Sequence, residues 1–252
     1  MIATRSADAG RGNAGGPGIR IRRFEDRDAL LSALAARLER VLTGAGPRAV
    51  MLSGGATPIP AYRAVAARGV KAAPGLHLFY SDDRYVPSTS EASNYFQTRP
   101  LLDALALPEA HVLRVRTELP LDEAAEDYDR RLAGLLHRGI PCELGLLGLG
   151  ADGHTASLFS ASDLERAAGR RALAVHRPDG RDAVSVSPAV LAQVAEIVFV
   201  VAGAEKRSAL AALAARDPTL IASRAVSGCA NVAAWTEPEA WPRTALSSQA
   251  SD

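Results

Sequence analysis

Short runs of consecutive apolar residues alternate along the chain with longer stretches in which apolar positions recur every three or four residues. Residues 19–24, 49–53, 76–81, 112–115, 144–148, 172–176, 183–186 and 197–202 are compact, β-branched or aromatic runs and predict strands. Leu30, Leu34, Leu38 and Val41 fall on one face of a helix, so the spacing predicts a helix over residues 30–41. Residues 58–67, 121–136, 188–195 and 206–214 predict further helices. Strands that are apolar throughout, separated by amphipathic helices, imply an α/β protein whose mostly parallel sheet is covered on both faces. No internal repeat or linker divides residues 19–243, which are expected to form a single domain. Residues 1–18, ending Gly15-Gly16-Pro17-Gly18, and residues 244–252 are polar and are expected to be disordered tails.

Composition narrows the class. The chain has 252 residues, 48% hydrophobic and 23% charged, enough for one sizeable core. A net charge of +1 offers no broad footprint for nucleic acid or an acidic membrane, and no apolar run is long enough to span a bilayer. Cys142 and Cys229 are far apart and form neither a metal-ligand spacing nor a disulfide framework. With no apolar signal segment in the first residues, cytoplasmic residence is expected. We expect a monomer acting on a small molecule.

Ligands of open parallel sheets collect at the carboxyl ends of the strands, and four polar segments fall there. Ser53-Gly54-Gly55-Ala56-Thr57-Pro58 follows a strand and opens a helix. Two glycines allow close backbone approach, and the free N–H groups of a helix start favour a phosphate. A plain strand-to-helix turn with Thr57 as N-cap would read the same way. Asp82-Asp83-Arg84-Tyr85-Val86, with Asn94-Tyr95 beyond it, is either a solvated loop or an anion grip. In the second reading Arg84 holds a phosphate or carboxylate, while Asp82 or Asp83 holds the guanidinium or a sugar hydroxyl.

The third segment, Gly148-Leu149-Gly150-Ala151-Asp152-Gly153-His154, contains the spacing of a dinucleotide-binding loop. It lies past the middle of the chain, no acidic residue follows about 20 positions on, and His154 stands where backbone should meet pyrophosphate. An NADP-binding variant, with His176-Arg177 ending the next strand, is therefore the weaker alternative. The stronger one is a turn presenting Asp152 and His154 together at a helix start, histidine being the side chain suited to proton transfer near neutrality. The fourth segment, Gly203-Ala204-Glu205-Lys206, places one of only two lysines, the other being Lys71, at a strand end. A solvated helix-start charge is its plain alternative.

In this order, from about Phe24 to about Val226, the four segments resemble the 6-phosphogluconolactonase family. Ser53-Gly-Gly-Ala-Thr-Pro resembles its Ser-Gly-Gly-Ser/Thr-Thr-Pro loop, and Asp82-Asp83-Arg84-Tyr85-Val86-Pro87 with Ser93-Asn94-Tyr95 resembles its Asp-Glu-Arg-aromatic-Val-Pro and Ser-Asn-Tyr signature. Gly148-Leu-Gly-Ala-Asp-Gly-His-Thr-Ala-Ser-Leu-Phe resembles its most specific motif, and Gly203-Ala-Glu-Lys206 its late Gly-x-x-Lys turn. The resemblance implies a three-layer α/β/α sandwich with a small α/β appendage. It also implies hydrolysis of 6-phospho-D-glucono-1,5-lactone in the oxidative pentose phosphate route.

A δ-lactone is an activated ester, so this reaction asks for no metal and no cofactor; it needs a placed water, a base and oxyanion donors. His154 is the expected base, with Asp152 either fixing its tautomer or capping a helix. Arg84, Lys206, Ser53, Gly54, Gly55 and Thr57 are expected on the 6-phosphate, and Asp82, Asp83 and Asn94 more weakly on the sugar. Three positions depart from the family pattern: Asp83 replaces its Glu, Ser160 replaces a proline, and Ala192-Gln193 stand where an Asn is frequent. Related glucosamine-6-phosphate deaminases follow the histidine with Asn-Glu-Pro, absent here. That enzyme type, or a regulator that binds sugar phosphates without turnover, is the alternative.

Overall fold

The computed structural model describes residues 18–241; the expected tails, apart from Gly18, lie outside the described residues. Its main sheet has seven parallel strands in the order β1-β10-β9-β6-β2-β3-β5. These are β1 (Arg20–Arg23), β2 (Arg48–Leu52), β3 (Leu76–Tyr80), β5 (Val112–Leu113), β6 (Cys142–Leu147), β9 (Ile197–Val201) and β10 (Val232–Thr236). All five residues of β2, β3, β9 and β10 are buried.

Alternation along each strand sends neighbouring residues to opposite faces, which explains the unbroken apolar runs. Val50, Leu52, Val198 and Val200 enter one core with Leu34 and Leu38 of α1 (Arg27–Leu42), Tyr62 of α2 (Ile59–Ala67) and Leu101 of α3 (Asn94–Leu105). Met51, Phe199 and Val201 enter the other core. Their partners there are Tyr128 and Leu132 of α4 (Leu121–His137), Leu210 of α7 (Arg207–Ala214) and Ala222 of α8 (Ile221–Ala225). The expected layering, helices on both faces of a parallel sheet, is what the chain builds.

The appendage is a three-stranded antiparallel sheet of β4 (Asp82–Arg84), β8 (Asp182–Val186) and β7 (Ala172–His176). Leu173, Val175, Val184 and Val186 share the second core with α4. Leaving β3, the chain crosses directly into this sheet: Ser81 accepts from Val186 N–H at 2.9 Å, and Asp82 then pairs with Ser185. The charged segment 82–84 is therefore a paired strand and not a solvated loop.

Several elements differ from the sequence expectation. β10 lies between β1 and β9 although its Val-Ala-Ala-Trp-Thr sequence gives only a faint strand signal. α3 was not foreseen because Pro100 lies inside it, and α5 (Ala161–Arg166) and α8 are only six and five residues long. The helix expected over 188–195 ends at Leu191 as α6 (Pro188–Leu191). Among the described residues no helix is long and apolar enough to cross a membrane.

Candidate active site

The carboxyl ends of β1, β2, β6, β9 and β10, with the start of β4, surround a cleft of about 780 Å³. Ser53, Gly54, Gly55 and Thr57 border it beyond β2, Asp82 and Arg84 from β4, and Asn94 from the first turn of α3. His154 enters beyond β6 and Lys206 beyond β9. The structure thus gathers nine of the eleven expected residues around one space; Asp83, which is buried, and Asp152, which is exposed, do not line it.

Beyond β2, Tyr62 pins the turn: its hydroxyl donates to Ser53 O at 2.9 Å and accepts from Ser53 N–H at 3.2 Å. Gly55 has φ +100°, open to glycine at little cost. At Gly54 a Cβ would collide with the Asn94 amide, so the close approach of loop and helix requires glycine there. Thr57 is not the N-cap: α2 begins at Ile59 after Pro58, with no side-chain cap.

The Asp82–Arg84 segment works differently from expectation. Arg84 is gripped by neither aspartate; its Nη1 donates to Asn94 Oδ1 at 2.6 Å and to Ala92 O at 3.1 Å. Asn94 in turn donates to Asp82 O at 2.8 Å, which fixes the amide between strand and guanidinium. Asp82 is buried, accepting from Ser81 Oγ at 2.9 Å and from Ser157 Oγ at 2.7 Å. Asp83, 1% exposed, accepts from Asn94 N–H at 2.6 Å, Tyr95 N–H at 3.2 Å and Ser93 Oγ–H at 3.0 Å. It anchors the start of α3 directly, so the shorter side chain needs no bridging water, and it does not line the cleft. Burial pushes its carboxyl up to about 6 against those hydrogen bonds.

The 150–154 turn closes on itself through Gly150 N–H to His154 O (2.9 Å) and Gly153 N–H to Gly150 O (3.1 Å). Gly150 has no room for a Cβ against the His154 ring and the Asp152 carboxylate. His154 Nδ1 lies 2.6 Å from Asp152 Oδ1, which also accepts from His154 N–H at 3.3 Å. Burial works to raise the Asp152 pKa, but these bonds from His154 carry it below its ordinary value. Asp152 does not cap a helix. The next one, α5, starts later and is capped by Ser160, which forms a reciprocal capping box with Asp163. The residue in place of the family's proline therefore has a structural task of its own.

Sequence reasoning missed Arg27 and Glu237 and assigned Arg177 only to the NADP alternative, yet all three border the cleft. Arg177, placed just past β7, sits with its guanidinium 5.1 Å from the Phe159 ring centre, and Phe159 lies 4.3 Å from the His154 ring. Its position after a strand was the available signal. Arg27 opens α1 and gave none, and Glu237 follows the unforeseen β10. Six carboxylates and four cations border the cleft. Of those carboxylates Asp26, Asp82 and Glu237 already accept protein N–H or O–H donors, which hold them in place and leave them less free to take a ligand hydroxyl. Among the described residues no group of three or more His, Cys, Asp or Glu side chains is gathered as metal ligands would be.

Fold and cleft define the class: an α/β protein whose main cleft crosses the carboxyl ends of a parallel sheet, with arginine and lysine side chains bordering it beside a carboxylate-held histidine. The family follows from comparison. Residues 25–235 match the model of the glucosamine-6-phosphate isomerases/6-phosphogluconolactonase family, and the chain belongs to that family. A 6-phosphogluconolactonase of Treponema pallidum is 36% identical over 202 residues, covering 77% of this chain and 83% of the relative. The solved 6-phosphogluconolactonase of Thermotoga maritima superposes with a TM-score of 0.73 at 27% identity, over 87% of this chain and 100% of that one. A monomeric glucosamine-6-phosphate deaminase has the same fold, with a TM-score of 0.73 at 14% identity over 88% of this chain and 98% of its own.

Proposed function

We propose that this protein is a 6-phosphogluconolactonase, opening 6-phospho-D-glucono-1,5-lactone to 6-phosphogluconate with His154 as general base. The enzyme class, a lactone hydrolase, rests on the family and its curated relatives. The observation that carries the role of the base is the 2.6 Å contact between His154 Nδ1 and Asp152. A neutral ring that donates its Nδ1 proton to this carboxylate keeps Nε2 unprotonated at the cleft. Nε2 then takes a proton from water as its oxygen attacks the lactone carbonyl. The tetrahedral oxyanion is met by backbone N–H groups of the glycine-framed turns. Collapse breaks the bond from the carbonyl carbon to the ring oxygen, and the imidazolium returns its proton to that oxygen.

Arg84, Lys206 and the Ser53–Thr57 loop, joined by Arg177, hold the 6-phosphate and so place the carbonyl beside His154. Asn94 and Asp82 serve this grip by fixing Arg84 from behind. Every group invoked comes from one chain, so a monomer suffices, and the buried, unpaired Cys142 and Cys229 suit the cytoplasm. After His154 come Thr155, Ala156 and Ser157, none of them a carboxylate that could serve the ring opening and isomerisation of a deaminase.

The test is proton release from freshly made lactone at mildly acidic pH, where spontaneous hydrolysis is slow. The protein should accelerate it, and His154→Ala should lower the maximal rate by about 10²–10⁴. A variant within threefold of the parent in single turnover would remove His154 from the mechanism.

A further inference from the structure

Lys206 sits on a single 3₁₀ turn, Ala204–Lys206, that carries no side-chain cap of its own. The turn opens at Gly203, with φ +100°, and closes with Lys206 N–H on Gly203 O at 3.1 Å. The turn runs directly into α7 at Arg207, so its Lys206 end is carried by that helix and its Gly203 end is the one left to be fixed. What holds Gly203 comes from the next strand. β10 pairs with β9 up to Thr236 opposite Val201, and the following residue is Glu237. Its Oε1 accepts from Gly203 N–H at 2.8 Å, and its Oε2 from Glu239 N–H at 2.8 Å.

Arg207, the neighbour of Lys206, reaches back to the same segment, donating through Nε to Trp241 O at 2.9 Å and through Nη2 to Glu239 O at 2.6 Å. The exits of two adjacent strands are thus tied together on both sides of Lys206. Glu237 is 5% exposed and each of its oxygens already holds a backbone N–H, so although it borders the cleft its carboxylate is committed to tying these two turns together.

We infer that Glu237 is a positioning residue for the substrate's phosphate: by fixing Gly203 it sets where the Lys206 ammonium stands. The inference rests on the proposed role of Lys206 in holding the phosphate. A carboxylate fits because both neighbours are N–H donors. Glutamine keeps one acceptor and turns an N–H₂ towards the other donor, which frees one of the two ties. The consequence falls first on phosphate affinity and only through placement of the carbonyl on the chemical step, since His154 is carried by a different strand end.

The experiment compares four full-length proteins: the parent, Glu237→Gln, Lys206→Ala and the double variant. It reads kcat and KM for the lactone and the Kd for 6-phosphogluconate by calorimetry. Glu237→Gln and Lys206→Ala should each weaken binding by roughly tenfold or more, with a larger change in KM than in kcat. The double variant should bind no more weakly than Lys206→Ala alone, because Glu237 acts through that lysine. Glu237→Asp keeps the charge but spans only one of the two donors, and serves in its place with an intermediate loss if Glu237→Gln fails to fold.

Normal affinity in Glu237→Gln beside a weakened Lys206→Ala would overturn the inference alone. So would a double variant weakened by the product of the two single effects, the mark of a general structural role. Normal affinity in Lys206→Ala would instead withdraw Lys206 from phosphate binding, and the inference with it, while leaving His154 untouched.

Discussion

His154 and Asp152 are two residues apart, and a pair so close in sequence can meet only if the backbone between them folds tightly. Gly153, at φ +86°, provides that fold, and Gly150 provides the space beneath the ring. The bonds from His154 outweigh partial burial and hold the Asp152 pKa below its ordinary value, so in the proposed mechanism a negative charge faces the imidazolium. Asp152→Asn removes this charge and can present an N–H₂ to Nδ1, which favours the tautomer protonated on Nε2 and silences the base. We expect kcat to fall by at least about tenfold and at most by the whole 10²–10⁴ that a general base supplies, with KM little changed. Steady-state kinetics on the lactone decides it, and a kcat within twofold of the parent would leave Asp152 no part in orienting His154.

At the scale of elements, the start of α3 depends on a carboxylate from the β4 strand. Asp83 takes two backbone N–H groups and the Ser93 hydroxyl, and α3 carries the Asn94 that grips Arg84. Burial raises the Asp83 pKa from 3.8 to about 6. A folded value above the unfolded one means that its contribution to stability is complete below 3.8 and is lost as pH rises through about 6. The full change is roughly 3 kcal/mol at most. In urea titrations the parent should therefore lose stability relative to Asp83→Asn as pH rises from 4 to 7; a difference constant with pH would refute the titration.

This same segment shows where sequence reading stops. β2, β3 and β9 were legible because both faces are buried and every position but Arg48 and His77 is apolar, and α1 because one stripe is. The strand nature of Asp82-Asp83-Arg84 was hidden because its partners are tertiary: Ser157 lies 75 residues away, and β8 is farther still. Strand-end position found Arg84, His154 and Lys206 correctly as cleft residues. It also assigned Asp83 to the sugar, although no local signal could reveal that its oxygens are spent on a helix start.

Across the whole molecule the two ends of the sheet do different things. The cleft occupies the carboxyl ends of the strands, whereas near the amino end of β3 a buried His77 stacks on His111 with ring centres 4.2 Å apart. His77 Nδ1 lies 2.9 Å from Gly75 O, a contact that favours protonation. Burial outweighs it, and the nearby charges of His111 and Arg138 add to burial, so the His77 pKa falls below its ordinary 6.5. A histidine depressed in the folded state gives stability that is complete above 6.5 and lost as pH falls through the folded value, because the unfolded chain then binds the extra proton. His77→Phe keeps an aromatic ring against His111 and removes the titration. The parent should therefore lose unfolding free energy more steeply than His77→Phe between pH 7 and 5. Asp83, unchanged in both proteins, cancels from the comparison although its own contribution runs the other way. At pH 7 the two should share the same kcat/KM, since the ring does not border the cleft. Equal slopes would place the acid sensitivity in other groups, and a fall in kcat/KM with stability intact would mean that the two ends of the sheet are coupled.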